Sequence, residues 1–219
     1  MIKTVIFDKD GTLIDTEPLH LIMWVELLKE RGYPATEEIL RECIGLNYPS
    51  MDVLLKGYFG EDFDINEHYP DVNERTRQYE LKHGIPLKKG FFELSDYLIS
   101  KGIRSVVATS SMHHEAEFCL SHTGISDRFD GIIGGDEIEN GKPSPDIFIK
   151  AAKLMNSEPS ECVIFEDSEN GVKAALAAGI KCFYIPDMKE IPEDLQSRTI
   201  KLKSLDEAIE YFENNFKEE

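Results

Sequence analysis

Short apolar runs that stop abruptly at polar residues recur along this chain. Those at 4–7, 103–108, 131–134, 163–165 and 182–185 are the length of buried strands and rich in β-branched residues. Between and after them, apolar positions return at helical spacing over 91–100, 114–122, 145–155, 169–178 and 205–216. Strand alternating with helix predicts an α/β architecture, a doubly wound parallel sheet with helices on both faces. Gly102, Gly124 and Gly179 stand where these helices should end, as C-caps. The interval 17–86 breaks the alternation. It reads as helical throughout, with candidate helices at 19–31, 37–44, 50–58 and 66–83. Pro34, Gly45, Pro49, Gly57, Gly60 and Gly84 punctuate it. The expectation is a helical cap domain at 17–86 inserted into a core domain made of 1–16 and 87–219, hinged near 16–17 and 84–88.

The polar residues just past each strand carry the chemistry. In open α/β sheets ligands sit outside the carboxyl ends of strands, so polar groups there line a mouth. The first strand runs into Asp8, Lys9, Asp10, Gly11 and Thr12. Two carboxylates one residue apart repel each other unless a cation or a proton intervenes. That suits a hard divalent metal, with one carboxylate left to attack; a helix cap or turn acid is the plainer alternative. The second strand ends at Thr109, Ser110 and Ser111, before a helix whose free N–H groups would hold an anion or simply be capped by a serine. Pro143, Pro145 and Gly141 restrain Lys142 on a loop before another helix, where its ammonium either neutralises a phosphate and a carboxylate or is plain surface charge. A fourth run ends in Glu166 and Asp167, which either complete a cation shell with Asp8 or favour the helix N-terminus behind them.

Composition narrows the partners. With 42 acidic and 24 basic side chains the formal charge is −18, which makes nucleic acid and anionic membrane surfaces poor partners. No apolar run is long enough to span a bilayer, and Met1-Ile2-Lys3-Thr4 enters a strand with no signal-peptide pattern. Cys43, Cys119, Cys162 and Cys182 show no metal-ligand spacing; Cys162 and Cys182 read as small buried hydrophobes. A cytoplasmic protein, monomeric or weakly dimeric, is expected.

Taken in order and with their spacing, the four strand-end segments resemble the four motifs of the haloacid dehalogenase-like hydrolase superfamily. The similarity extends to its β-phosphoglucomutase and sugar-phosphate phosphatase branch and covers almost the whole chain. It implies a Rossmann-like core in which Asp8 is the nucleophile that becomes an aspartyl phosphate and Asp10 the general acid and base. Thr109 would be the phosphate hydroxyl and Lys142 the charge clamp. Mg2+ would be held by Asp8, Glu166, Asp167 and the backbone carbonyl of Asp10. Gly11, through a backbone other residues resist, and the Ser110 N–H would complete the phosphate cradle. A small phosphorylated metabolite, a sugar phosphate first, is the implied substrate.

Asp15, His20 and Trp24 also match this branch. Four-residue spacing puts His20 and Trp24 on one helix face, either as a packing pair between cap and core or to orient Asp10. His113 and His114 read as surface residues. A cap cleft of Trp24, Gly45, Leu46, Asn47 and Tyr48 would contact the rest of the substrate. Two departures stand out. Mutases of the branch carry a lysine just before the cap-loop glycine and an arginine shortly after, where this chain has Ile44 and Tyr48. Without those cations a bisphosphate intermediate would not be retained, so water should win and a phosphatase is expected in place of a mutase. The other departure is Lys9, usually apolar in the family. A catalytically silent binding module is the rival from another class; the intact acids weigh against it. Carbon–halogen hydrolysis has no use for Asp10.

Overall fold

The computed structural model describes residues 1–44, 46 and 48–215, and of Tyr48 and Asn215 only the backbone. Six strands form one sheet: β1 (Thr4–Phe7), β2 (Arg104–Ala108), β3 (Gly131–Ile133), β4 (Cys162–Glu166), β5 (Lys181–Tyr184) and β6 (Ile200–Lys201). Their order is β3-β2-β1-β4-β5-β6 and every pairing is parallel. The chain therefore steps from β1 to one side of the sheet, then returns to the other side at β4. The switch point lies between β1 and β4, where open sheets leave a crevice.

Period-two alternation makes both faces of this sheet apolar. Phe7 stacks on Phe165 at 5.0 Å between ring centroids, and Phe165 on Phe183 at 4.9 Å. On the opposite face, Ile6, Val106, Ile164 and Cys182 pack with Ile147 and Phe148 of α7 (Asp146–Leu154) and Val172 and Ala175 of α8 (Glu169–Ala177). Cys162 and Cys182 are buried, as their neighbours suggested.

The expected strands and helices are all present, with bounds moved by at most three residues. The largest shifts are in helical segments, the 37–44 prediction ending at Arg41 and 50–58 starting at Tyr48. The elements that escaped the sequence pattern are short: β6, two residues long, the helix Glu193–Gln196, and the single turns Ser126–Arg128, Gly135–Glu137 and Pro159–Glu161. None is long enough to repeat its period, so none leaves a periodic trace. Strand β4 reaches one residue beyond its apolar run and takes in Glu166. Gly102, Gly124 and Gly179 follow helix ends at φ of 65°, 70° and 68°.

By contacts the chain divides into two compact units, Met1–Asp15 with Pro86–Glu219, and Thr16–Ile85. The second is helical, built of Glu17–Glu30, Glu37–Arg41, Tyr48–Phe59 and Ile65–His83. Trp24 is buried within it and stacks on Tyr69 at 6.4 Å. Tyr33, Phe63 and His68 form an aromatic cluster there, where Arg31 donates to Nδ1 of His68. Among the described residues no helix is long and apolar enough to cross a membrane.

Candidate active site at the strand ends

Asp8 follows β1, its N–H bound to the Phe165 carbonyl at 3.0 Å, which carries the β1–β4 ladder one residue past the strand. Its carboxylate is buried and touches the Lys142 ammonium. Burial, resisted by Lys142 and helped by the charges of Glu166 and Asp10, pushes its pKa up to about 7. Lys142 is itself buried, donating to Asp8 and, at 2.7 Å, to Oε1 of Glu166. Burial works against its charge, but the two carboxylates outweigh it and raise its pKa above the ordinary lysine value. Phe148 lies 4.9 Å below the ammonium and walls the site from the helix side.

Glu166 is not presented to the mouth as the strand-end pattern suggested. Its side chain is fully buried. Oε2 accepts from the Asp167 N–H at 2.8 Å, the Ser168 N–H at 2.7 Å and the Ser168 hydroxyl at 3.0 Å, while Oε1 accepts from Lys142. It binds the strand end to the loop and seats Lys142. A side chain at Gly171, in the first turn of α8, would overlap this carboxylate. That glycine is a site residue sequence reasoning passed over; a glycine inside a helix was its signal.

Asp167 does reach the mouth. Thr12 donates to its Oδ1 at 3.0 Å. Burial, then the charges of Glu166 and Asp8, lift its pKa well above the usual carboxylate range. Gly11, at φ 79°, lies against this carboxylate so closely that a Cβ would overlap it. Gly11 thus answers to a left-handed backbone and to lack of space together.

Asp10 is the more open acid, its side chain 45% exposed. Lys9 Nζ lies 2.9 Å from Oδ1, while Oδ2 accepts from Ser111 Oγ at 3.0 Å and Thr109 Oγ1 at 3.4 Å. Ser111 is a further residue without a role in the sequence reading; the third hydroxyl of the Thr109-Ser110-Ser111 run was the trace of it. Buried Thr109 also accepts from the Ser111 N–H at 3.1 Å, so its hydroxyl organises the turn. Ser110 is exposed, and its carbonyl is where a side chain at Gly135 would collide. His113, at the start of α6 (His113–His122), pairs through Nδ1 with Glu137 at 2.8 Å and so is less free than expected of a surface histidine.

The site therefore brings Asp8, Asp10, Thr109, Lys142, Glu166 and Asp167 together in one unit. His20, Trp24 and Leu46 belong to the helical unit, Leu46 exposed and Trp24 buried. Gly45, Asn47 and the Tyr48 side chain lie outside the described residues.

A buried carboxylate against a buried lysine, with a second acid two residues on, thus lies at the switch point of the sheet. The haloacid dehalogenase-like hydrolase family model fits residues 5–185. The chain belongs to this family. It is 32% identical over 186 residues to a phosphorylated carbohydrates phosphatase of Thermotoga maritima, covering 83% of this chain and 84% of that one. It is 34% identical over 180 residues to the fructose-1-phosphate phosphatase YqaB of Escherichia coli, covering 80% and 92%. Among solved structures, a putative β-phosphoglucomutase from Thermotoga maritima superposes with a TM-score of 0.82 at 27% identity, covering 98% of this chain and all of that one. This haloacid dehalogenase-like hydrolase is accordingly an enzyme of the phosphatase kind.

Proposed function

We propose that the chain is a magnesium-dependent phosphatase of small phosphorylated metabolites, sugar phosphates foremost, acting through a phosphoaspartate on Asp8. The observation that carries this reading is the Asp8 carboxylate held against the buried Lys142 ammonium at the switch point of the sheet. Asp8 attacks phosphorus, forming the acyl phosphate as the ester P–O bond breaks. Asp10 gives its proton to the departing oxygen, then takes one from the water that splits the acyl phosphate. Lys142 and the Ser110 N–H supply positive charge and a donor for the phosphoryl oxygens, alongside the Thr109 hydroxyl.

The residues present fit a hard cation. Asp8 is a buried carboxylate and Asp167 a half-buried one, each raised in pKa partly by its acidic neighbours, and a cation would relieve both. Among the described residues no group of three or more His, Cys, Asp or Glu is set to grip an ion. In this reading the protein supplies two carboxylates and the Asp10 carbonyl, with water and substrate phosphate as the remaining ligands, the habit of magnesium. Glu166, its oxygens already occupied by donors, supports this set from behind. When bound, the ion would offset charge on the phosphoryl oxygens.

The named relatives support a sugar phosphate, and the acidic surface argues for a small ester over a polyanion. The test is phosphate release from hexose 1- and 6-phosphates with magnesium, with and without a hexose bisphosphate, beside Asp8→Asn. Release by the wild type alone, indifferent to bisphosphate, is expected. Isomerisation that requires bisphosphate would make the chain a mutase, as the structural neighbour's name suggests. Unchanged release by Asp8→Asn would overturn the mechanism.

A further inference from the structure

Lys9 lies where the sequence puts an unexplained charge between two acids, and the phosphatase mechanism gives it no task. Its side chain is only 8% exposed, whereas that of Asp10 is 45% exposed. Taking a lysine ammonium out of water is unfavourable, and a carboxylate that meets it offsets the loss. Here the partner is Asp10, at 2.9 Å. The Lys9 backbone is fixed as well, because its carbonyl accepts from the N–H groups of Leu13 and Ile14 at 2.9 and 3.0 Å. The stem thus starts from a locked loop and ends beneath the carboxylate of the next residue.

The two oxygens of Asp10 are held by different elements, Oδ1 by Lys9 and Oδ2 by the Ser111 hydroxyl after β2. Two donors on opposite oxygens define the plane of a carboxylate, and turning it would break an ion pair on one side and a hydrogen bond on the other. Thr109 Oγ1, at 3.4 Å, adds a longer contact to Oδ2, and the group still keeps 45% of its side chain exposed.

We propose that Lys9, with Ser111, is a positioning residue that holds the Asp10 carboxyl group so that, in its acid form, the proton sits on a lone pair neither donor uses and is aimed at an oxygen leaving group. This rests on Asp10 serving as the acid of the phosphatase reading. Proton donation matters in proportion to how poorly the leaving group departs. An alkoxide needs the proton, whereas p-nitrophenolate leaves without it.

The experiment compares kcat/KM, which reports transfer to Asp8, for p-nitrophenyl phosphate and for whichever hexose phosphate is cleaved fastest. In Lys9→Met, kcat/KM for the hexose phosphate should fall by about 10- to 100-fold, and that for p-nitrophenyl phosphate by less than about threefold. Ser111→Ala should show the same selectivity with a smaller loss, and it carries the test should Lys9→Met not fold. Equal losses on both esters would mean a merely structural role and overturn the proposal, as would undiminished cleavage of the hexose phosphate. Wild type that cleaves neither ester, no better than Asp8→Asn, would remove the phosphatase reading and this inference with it. Wild-type cleavage lost in Asp8→Asn but untouched in Lys9→Met and Ser111→Ala would remove this inference alone.

Discussion

Glu166→Gln separates two roles that one acid at a strand end can have. The substitution keeps the volume and one oxygen but replaces the other with an NH2. In the structure all the donors around Glu166 point inward: Lys142 at Oε1, and the Asp167 N–H, Ser168 N–H and Ser168 hydroxyl at Oε2. The amide must therefore turn its NH2 toward Lys142 or toward the Asp167 and Ser168 N–H groups. Either choice loses a charge-assisted bond, about 1.5–3 kcal/mol, and leaves a buried donor unpaired, about 1–3 kcal/mol. Relief of repulsion with Asp8 and Asp167 works the other way, but Lys142 bridges Asp8 and Glu166 and offsets part of it. The net expectation is a loss of about 3–5 kcal/mol, the range found when one partner of a buried ion pair is removed. For a chain of this size that is a fall in Tm of about 6–20 °C. Urea unfolding followed by circular dichroism in EDTA measures it, as a lowered midpoint at unchanged slope. An acid that served only to hold metal would behave oppositely, since removing one of several crowded carboxylates should leave the metal-free protein as stable or more so. A midpoint unchanged or raised in EDTA would refute the structural role assigned to Glu166.

Two further substitutions probe the loop and the helical unit. Gly11→Ala places a Cβ into the Asp167 carboxylate at a φ of 79°. It should cost about 1–2 kcal/mol from the backbone alone and, by displacing Asp167, cut phosphate release about 100-fold; urea unfolding and steady-state assays check the two parts. His68 is buried with Nε2 unpartnered, and burial, then the charge of Arg31, lower its pKa against the pull of Glu67, Asp64 and Asp71. A folded pKa below the unfolded one contributes stability that is present above the unfolded value, about 6.5, and is lost as pH falls beneath it. Thermal unfolding should therefore show the wild type losing stability below about pH 6.5 and His68→Phe losing less of it; parallel pH profiles would contradict this.

Much of the fold could be read along the chain because its signals are local. Each apolar run of the sheet is bounded by polar residues within a few positions, and the C-cap glycines after helices carry their own conformational reason. Where an element was too short to repeat its period, as in β6, nothing could be read. The candidate site was legible to the same degree: residue types at strand ends named Asp8, Asp10, Lys142 and Asp167, because a parallel sheet with this alternation sends all its strand ends to one side.

Which donor meets which acceptor depended on tertiary structure. Lys142 and Glu166 come together across separate loops, and the choice of Glu166 to turn inward is made by N–H groups of the following residues and by room at Gly171. The same holds for Lys9, whose charge could be noticed in the sequence but whose direction could not. A side chain that long reaches several partners, and burial beneath Asp10 selects one of them. Sequence by itself determined where chemistry would collect, since strand ends and glycines act over a few residues. Packing decided what each acid does there, because the cost of burying a charge is settled by neighbours that the chain brings in from elsewhere.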